Sequence, residues 1–302
     1  MARFGRVFRG VTPIAYIQRT RDYYLALGYA HPYRWAQFDD IPFQPMNKPL
    51  AEARVAIVTT AAPYKPGAGD QGPGASYNAA AKFYQVYSDS TATMPDLRIS
   101  HVAIDRDHTT AADIGTYFPL AALKHASARI GSVAPQFYGF PTNRSHTTTQ
   151  EVDAPELVRR CLSDGIDVAI LVANCPVCHQ SCALAARALE TAGIATVLMG
   201  CARDIVEHVG VPRYLFSDFP LGNAAGRPGD FASQNTSLGL ALDLLDTARV
   251  PGTTITSPLT WPGPPNWKDD YSNAANLTPD DISIKRAKFD AGKSVAKDLR
   301  DG

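Results

Sequence analysis

The sequence predicts an α/β protein with a parallel, Rossmann-like core and extended arms at both ends. Two observations carry that prediction. Between about residues 51 and 250, short β-branched runs alternate with segments of helical length, the order that a parallel sheet with crossover helices demands. Across the 302 residues, 45% are hydrophobic and only 19% are charged, which is enough apolar surface to bury a large core. Strand-led segments starting near Arg54 and Asp167 fit two pseudo-duplicated halves, about 51–150 and 151–250. An arm over 1–50 precedes this core and a tail over 251–302 follows it.

In the arm, Tyr23, Tyr24, Tyr29, Tyr33, Trp35 and Phe38 are interleaved with Arg19, Arg21 and Arg34, without a long apolar period. This pattern fits a segment packed over the core or over a neighbouring subunit. RNA stacking would need a basic chain, and this one is neutral. The first strand is Arg54–Thr60, a second is expected over Leu97–Ile104, and a helix-like stretch around Leu120–Ala128 leads to a short run at Ile130–Val133. A helix over Ala154–Ser163 is stopped by Asp164-Gly165 and delivers the chain into a buried strand, Val168–Ala173. Cys178–Ala192 reads as a helix with Ala185, Leu189 and Ala192 inward, Arg187 free to face solvent and Gly193 as its stop. Ile194–Met199 is a strand, Arg203–Val209 a short helix, Tyr214–Phe216 a short strand and Thr236–Ala248 an amphipathic helix. From Pro251 the chain is rich in proline (Pro258, Pro262, Pro264, Pro265), then charged from Asp280 to Arg300, as expected of a tail that wraps a partner subunit.

Lys plus Arg equal Asp plus Glu at 29 each, so no overall field attracts nucleic acid or an anionic membrane. Arg3, Arg6 and Arg9 precede no apolar run of signal-peptide length, and no stretch reaches the roughly 18 apolar residues of a membrane span. A cytoplasmic location is the expectation. Five cysteines, three of them at 175, 178 and 182, do not form the evenly paired framework of a secreted protein.

The chemistry concentrates in Asn174-Cys-Pro-Val-Cys178. In an open parallel sheet, ligands bind beyond the carboxyl ends of the strands, and Cys175 falls where the Val168 strand should end. Pro176 suits the first turn of a helix, which puts Cys175 at or beside the N-cap, where free backbone N–H groups stabilise a thiolate. Cys178, one turn along, can resolve an adduct formed on Cys175. Cys161, Cys182 and Cys201 are better read as packing residues. The Cys175, Cys178, His179 spacing also spells a haem-attachment motif, but that motif belongs to exported proteins. A zinc or iron site built from Cys175, Cys178 and a histidine, either His179 or a remote one, stays open as an alternative.

Around this pair, Thr60, His101, Asp105, Asn174, Gly222 and Asn223 are candidate substrate-binding residues. Thr59 and Thr60 lead into a glycine-containing loop, Pro63–Asp70, that either cradles a carboxylate or simply turns. Strand alternation would place His101 and Asp105 on one face as an acid–base pair, or leave His101 to satisfy its own hydrogen bonds. Gly222-Asn223 forms a turn at the same edge, from which Asn223 can donate to a substrate oxygen.

Several segments together resemble the B-type selenoprotein family of glycine, sarcosine, betaine and D-proline reductases. They are Arg54–Thr60, Leu97-Arg-Ile-Ser-His101 to Asp105, Ile130–Pro135, Asp167–Cys178, Thr191–Ile194 and Pro220–Asn223, in order over roughly residues 50 to 250. The resemblance places Cys175 at the selenocysteine position, Cys178 at the cysteine three residues on, and Ser181 where a further cysteine often stands. It implies reductive cleavage of a carbon–nitrogen bond in a small substrate, within a complex that includes a pyruvoyl-bearing subunit. Sulfur for selenium implies a weaker nucleophile of higher pKa, and hence room for a different substrate or reaction. A fainter likeness to the aspartate, glutamate and hydantoin racemases fails because Ala61 and Ala62 stand where those enzymes carry a second cysteine.

The expected activity is therefore a thiol-dependent oxidoreductase in which Cys175 attacks and Cys178 resolves, with no bound cofactor, an external thiol or electron donor, and a homo-oligomeric assembly. The alternatives are a metal–thiolate protein and a non-catalytic subunit of a reductase complex.

Overall fold

The computed structural model describes residues 12–264 and 266–301, and side chains as far as residue 298. Arg3, Arg6, Arg9 and Pro265 lie outside the described residues. In chain order the elements are α1 (Tyr16–Ala26), β1 (Arg54–Thr59), β2 (Ala62–Pro63), β3 (Tyr87–Ser90), β4 (Leu97–Arg98), α2 (Leu120–His125), β5 (Ser132–Val133), β6 (Gln136–Gly139) and α3 (His146–Thr148). There follow α4 (Ala154–Ser163), β7 (Val168–Val172), α5 (Pro176–Thr191), β8 (Ala195–Gly200), α6 (Arg203–Val209), β9 (Arg213–Phe216), α7 (Phe231–Thr247), β10 (Thr253–Thr256), α8 (Trp267–Asp270) and α9 (Pro279–Asp301). Among the described residues no helix is long and apolar enough to cross a membrane.

The fold is α/β, with one mostly parallel sheet in the order β10-β9-β8-β7-β1-β6-β3, and β5 pairing with the start of β1. Among the described residues only the edge strand β3 runs antiparallel in this sheet, against β6. Buried on both faces, β1 and β7 read as continuous apolar runs instead of alternating, as central parallel strands do. Ile57, Ile170, Val197 and Met199 pack on one side with Leu238, Leu242 and Leu245 of α7. Val58, Leu171 and Leu198 pack on the other with Leu157 and Cys161 of α4 and Cys182, Ala185 and Leu189 of α5. Thr59 pairs with Val172, and Val172 with Met199, so the carboxyl ends of β1, β7 and β8 share one edge.

Helices α4 and α6 occupy the residues expected from sequence. Two expectations are corrected. Residues 97–104 do not form a strand of the main sheet: only Leu97–Arg98 is extended, paired with Ala62–Pro63 in a separate two-stranded ribbon. Beyond it the chain crosses the carboxyl edge as a loop, held by the Asp105 N–H to the Leu221 carbonyl and by Arg106 Nε to the Ala75 carbonyl. Nor does Arg187 face solvent. All of α5 is buried except Val177, Ala188 and Thr191, because the residues preceding β1 cover the face turned away from the sheet. There Gln180 accepts from the Ala36 N–H, Arg187 donates to the Asp40 carbonyl and stacks on Phe38, and Glu190 accepts from the Gln44 N–H.

Both terminal segments pack on this same chain. The N–H of Ile17 at the start of α1 donates to Asp204 (2.8 Å), and Arg19 donates to the carbonyls of Lys268 and Tyr271. Helix α9 closes over α1 through the Tyr24–Phe289 ring pair, and over the segment after α1 through Arg286 stacked 3.9 Å from the Tyr29 ring. Strand β10 forms the far edge of the main sheet beside β9.

The most deeply buried ion pair is Arg213–Glu190 at 2.9 Å, both side chains fully shielded. Burial raises the Glu190 carboxyl pKa and lowers that of the Arg213 guanidinium, and each group opposes the shift in the other. Three donors, the Thr196 N–H, the Thr196 hydroxyl and the Gln44 N–H, complete the carboxylate. Removing one partner strands the other. Arg213→Met is expected to lower the unfolding free energy by about 3–5 kcal/mol. Replacing Glu190 with glutamine as well, which removes the stranded charge but keeps an oxygen for the Thr196 and Gln44 donors, should restore part of that loss, both read as shifts in urea denaturation.

Candidate functional site

The site begins where β7 becomes α5. Cys175 is the N-cap of α5 with an extended backbone (φ −126°, ψ 169°), Pro176 takes the first helical position, and the Cys175 sulfur accepts the Cys178 N–H at 3.2 Å. A helix N-terminus offers unpaired N–H groups and the positive end of the dipole, so negative charge on this sulfur is favoured. Cys175 and Cys178 stand at disulfide distance, with Cα atoms 4.9 Å apart, the separation that one helical turn provides.

His179 holds this geometry from below. Its Nε2 accepts two N–H groups, from Cys201 (2.8 Å) and Ala202 (3.1 Å), which leaves the proton on Nδ1 to donate to the Cys175 carbonyl at 2.7 Å. Burial lowers its pKa to about 4, so the ring is neutral. The approach is close: a Cβ on Gly200 would lie 2.6 Å from its ring. His179 thus ties the end of β8 to the start of α5. Both its nitrogens are committed, and it is not the histidine available to a metal.

That histidine is His101. Its Nε2 donates to the Thr60 carbonyl at 2.7 Å, and burial, followed by the nearby charges of Lys82 and Arg106, lowers its pKa to about 3. A ring nitrogen of His101 and the sulfurs of Cys175 and Cys178 all lie within 4.8 Å of one another. Asn174 donates to the Thr60 hydroxyl at 2.9 Å, locking the ends of β1 and β7 together. Thr60, His101, Asn174, Cys175 and Cys178 are therefore brought to one place.

Asp105, Gly222 and Asn223 are not. Asp105 pairs with His108 (2.9 Å) and not with His101, so the acid–base pair expected from strand alternation is absent, the segment being a loop. The Asn223 amide donates to the Pro220 carbonyl and its oxygen accepts from Thr109 (3.4 Å). Gly222, at φ 110°, presents its carbonyl to Thr116. These residues brace the loop over the carboxyl edge.

Cys175 and His101 open on a cavity of about 770 Å³. Cys175 keeps 5% of its surface exposed, whereas Cys178 is fully enclosed behind it. Tyr23 and Tyr24 of α1, Tyr33, Trp35, Tyr77 and Phe289 of α9 contribute to the walls. Arg106 reaches the rim and donates to the carbonyls of Ala75, Val102 and His101. Sequence reasoning missed Arg106, Lys82 and Tyr33, because they lie on irregular segments whose position no periodicity encodes. For His179 the adjacency to Cys178 was a signal, but its two backbone donors come from the β8–α6 junction.

No protein-family model matches this chain, and no solved structure matches it. Among curated proteins it is 28% identical over 189 residues to D-proline reductase subunit gamma of Acetoanaerobium sticklandii. The match spans 62% of this chain and 75% of that protein. The chain is thus a distant relative of a reductase subunit.

The neutral, buried His179 has a consequence for stability. Above about pH 6.5 it is uncharged in both folded and unfolded states. Between about 6.5 and 4 only the unfolded state takes up the proton, so stability is lost as pH falls through that range, by about 3 kcal/mol from this residue. His179→Gln should reduce the slope of urea midpoint against pH in this window, whatever its effect on stability at neutral pH.

Proposed function

We propose that this chain is the thiol-bearing component of a reductase complex, in which Cys175 cleaves a carbon–heteroatom bond of a small substrate and Cys178 resolves the product. The observation that supports it best is the Cys175 sulfur at the α5 N-cap, facing a cavity and within disulfide reach of Cys178. The distant relationship to D-proline reductase subunit gamma supports a place in a reductase complex, and in the sequence resemblance to B-type components Cys175 takes the selenocysteine position.

The step balances as follows. The Cys175 thiolate displaces the heteroatom from carbon, forming a carbon–sulfur bond, and the leaving group departs with its electron pair and takes a proton. The Cys178 thiolate then attacks the Cys175 sulfur, forming the disulfide and releasing the carbon with the bonding pair, which a second proton completes. Substrate gains two electrons and two protons, and the dithiol loses them. An external thiol donor must re-reduce the disulfide, and a partner subunit activates the substrate. A homo-oligomer in the reducing cytoplasm is the setting that fits this chemistry.

The second reading is a metal–thiolate centre, favoured by the closeness of His101 to the two sulfurs. With Nε2 held by the Thr60 carbonyl, Nδ1 is the nitrogen left to bind, and two thiolates with one imidazole suit zinc. If this reading holds, the reduced chain should retain one zinc per protomer through desalting and lose it in His101→Ala.

Alkylation after reduction tests the primary reading. Cys175 should label below about pH 7. Burial pushes the Cys161 thiol up to about 12 and those of Cys182 and Cys201 higher still, so these three should label only after unfolding. Uniform labelling of all five, or full turnover of the complex with Cys175→Ser, would assign the chemistry to another subunit.

A further inference from the structure

We propose that the molecule held in this cavity is an anion with a flat, aromatic body, larger than a simple amino acid, its carboxylate directed to Arg106 and its body lying among the rings. The inference rests on Cys175 as the reacting atom of the proposed function and names the class of substrate that reaches it.

Volume is the first argument. At about 770 Å³ the cavity falls within the roughly 300–1,000 Å³ that encloses drug-sized ligands, and a small amino acid would leave most of it to water. Its construction is the second. The reacting end is built from the start of α5 and the loop through His101, whereas aromatic lining residues come from α1, the segment after it and α9: Tyr23 and Tyr24, Tyr33 and Trp35, and Phe289. Tyr33 and Trp35 meet edge to face with centroids 4.8 Å apart, and Tyr24 and Phe289 lie tilted at 5.4 Å. Gln180 of α5 and the Arg144 carbonyl both hold the Tyr33 hydroxyl, so this wall is fixed to the helix that carries the thiols. Each pair is in mutual contact, so the rings are held rigid and their cavity-facing surfaces offer a flat apolar group something to stack on.

Charge is the third argument. Six basic side chains line the cavity (Lys82, Arg106, Arg144, Lys285, Lys293 and Lys297) against Asp107, Asp270 and Asp281. Asp270 pairs with His108 Nε2 at 3.3 Å and Lys293 with Asp290 at 3.4 Å, while Asp281 accepts from Thr278 and keeps its charge, so cations still outnumber anions along the lining. Arg106 donates to three carbonyls, neutral acceptors that leave the guanidinium's charge uncancelled among the described residues. It lies beside His101, so the positive end of the cavity and the thiol end coincide. A planar guanidinium in that position is suited to a carboxylate.

The test uses the full chain in its disulfide form, in which no thiolate is free to react, and isothermal titration with 2-naphthylacetate, 2-naphthylacetamide and D-proline. The acid should bind at least about tenfold more tightly than its neutral amide and than D-proline, a difference of about 1.4 kcal/mol. Arg106→Gln should bring the acid down to the amide, and Arg106→Lys should retain part of the preference. Trp35→Ala should weaken acid and amide alike. Equal binding of acid and amide to the unmodified chain, tighter binding of D-proline, or no measurable binding of the naphthyl acid overturns the proposal. Because these measurements need no chemistry at sulfur, they fail or succeed independently of the alkylation experiment that tests the reductase reading.

Discussion

The arrangement depends on helix α5 being enclosed on every side. A helix that merely lies on a sheet can slide or tilt, but this one is clamped between β7 and β8 on one face and residues 33–44 on the other, with Gln180, Arg187 and Glu190 all tied to that segment. Its N-terminus consequently has one position relative to the strand that feeds it. Cys175 needs that fixity: an N-cap sulfur gains from backbone N–H groups and the helix dipole only while it stays within the first turn.

The polar groups beneath the thiols obey the same constraint. Buried histidines are costly when charged, and burial pushes His101 and His179 towards neutrality, where each imidazole works as one donor and one acceptor. His179 spends both functions on backbone and thereby joins β8 to α5. His101 spends one on the end of β1, and its ring lies beside the sulfurs. Positive charge at the site is supplied instead by Arg106 and Lys82, which are only half-buried, so their desolvation costs less than in the core. A nucleophilic thiolate, a disulfide and a thiolate–imidazole metal site would all draw on this same balance.

The cavity itself is made by parts of the chain that contribute little to the sheet. Helix α1, the segment after it and helix α9 fold back across the carboxyl edge, joined by ring contacts and by Arg286 on Tyr29. They turn an open strand edge, the usual binding position in a parallel α/β fold, into a walled chamber.

The β-branched runs at 54–60 and 168–173, the Asp164-Gly165 stop and the proline after Cys175 were enough to specify a parallel α/β core and to set that cysteine at a strand-to-helix junction, because these are local signals of backbone preference. The same locality explains the misreadings. His101 and Asp105 alternate as a strand would, yet the loop that contains them is shaped by Leu221 and Ala75, far away in sequence; Arg187 has an exposed residue's character but lies under an arm whose course no periodicity records. Sequence by itself set Cys175 at the end of a strand and Cys178 one helical turn beyond it, and named the element that would present them. Tertiary structure alone decided which histidine stands beside the sulfurs, which cations face the cavity and what encloses it, since those depend on contacts between segments that share no repeat, spacing or composition.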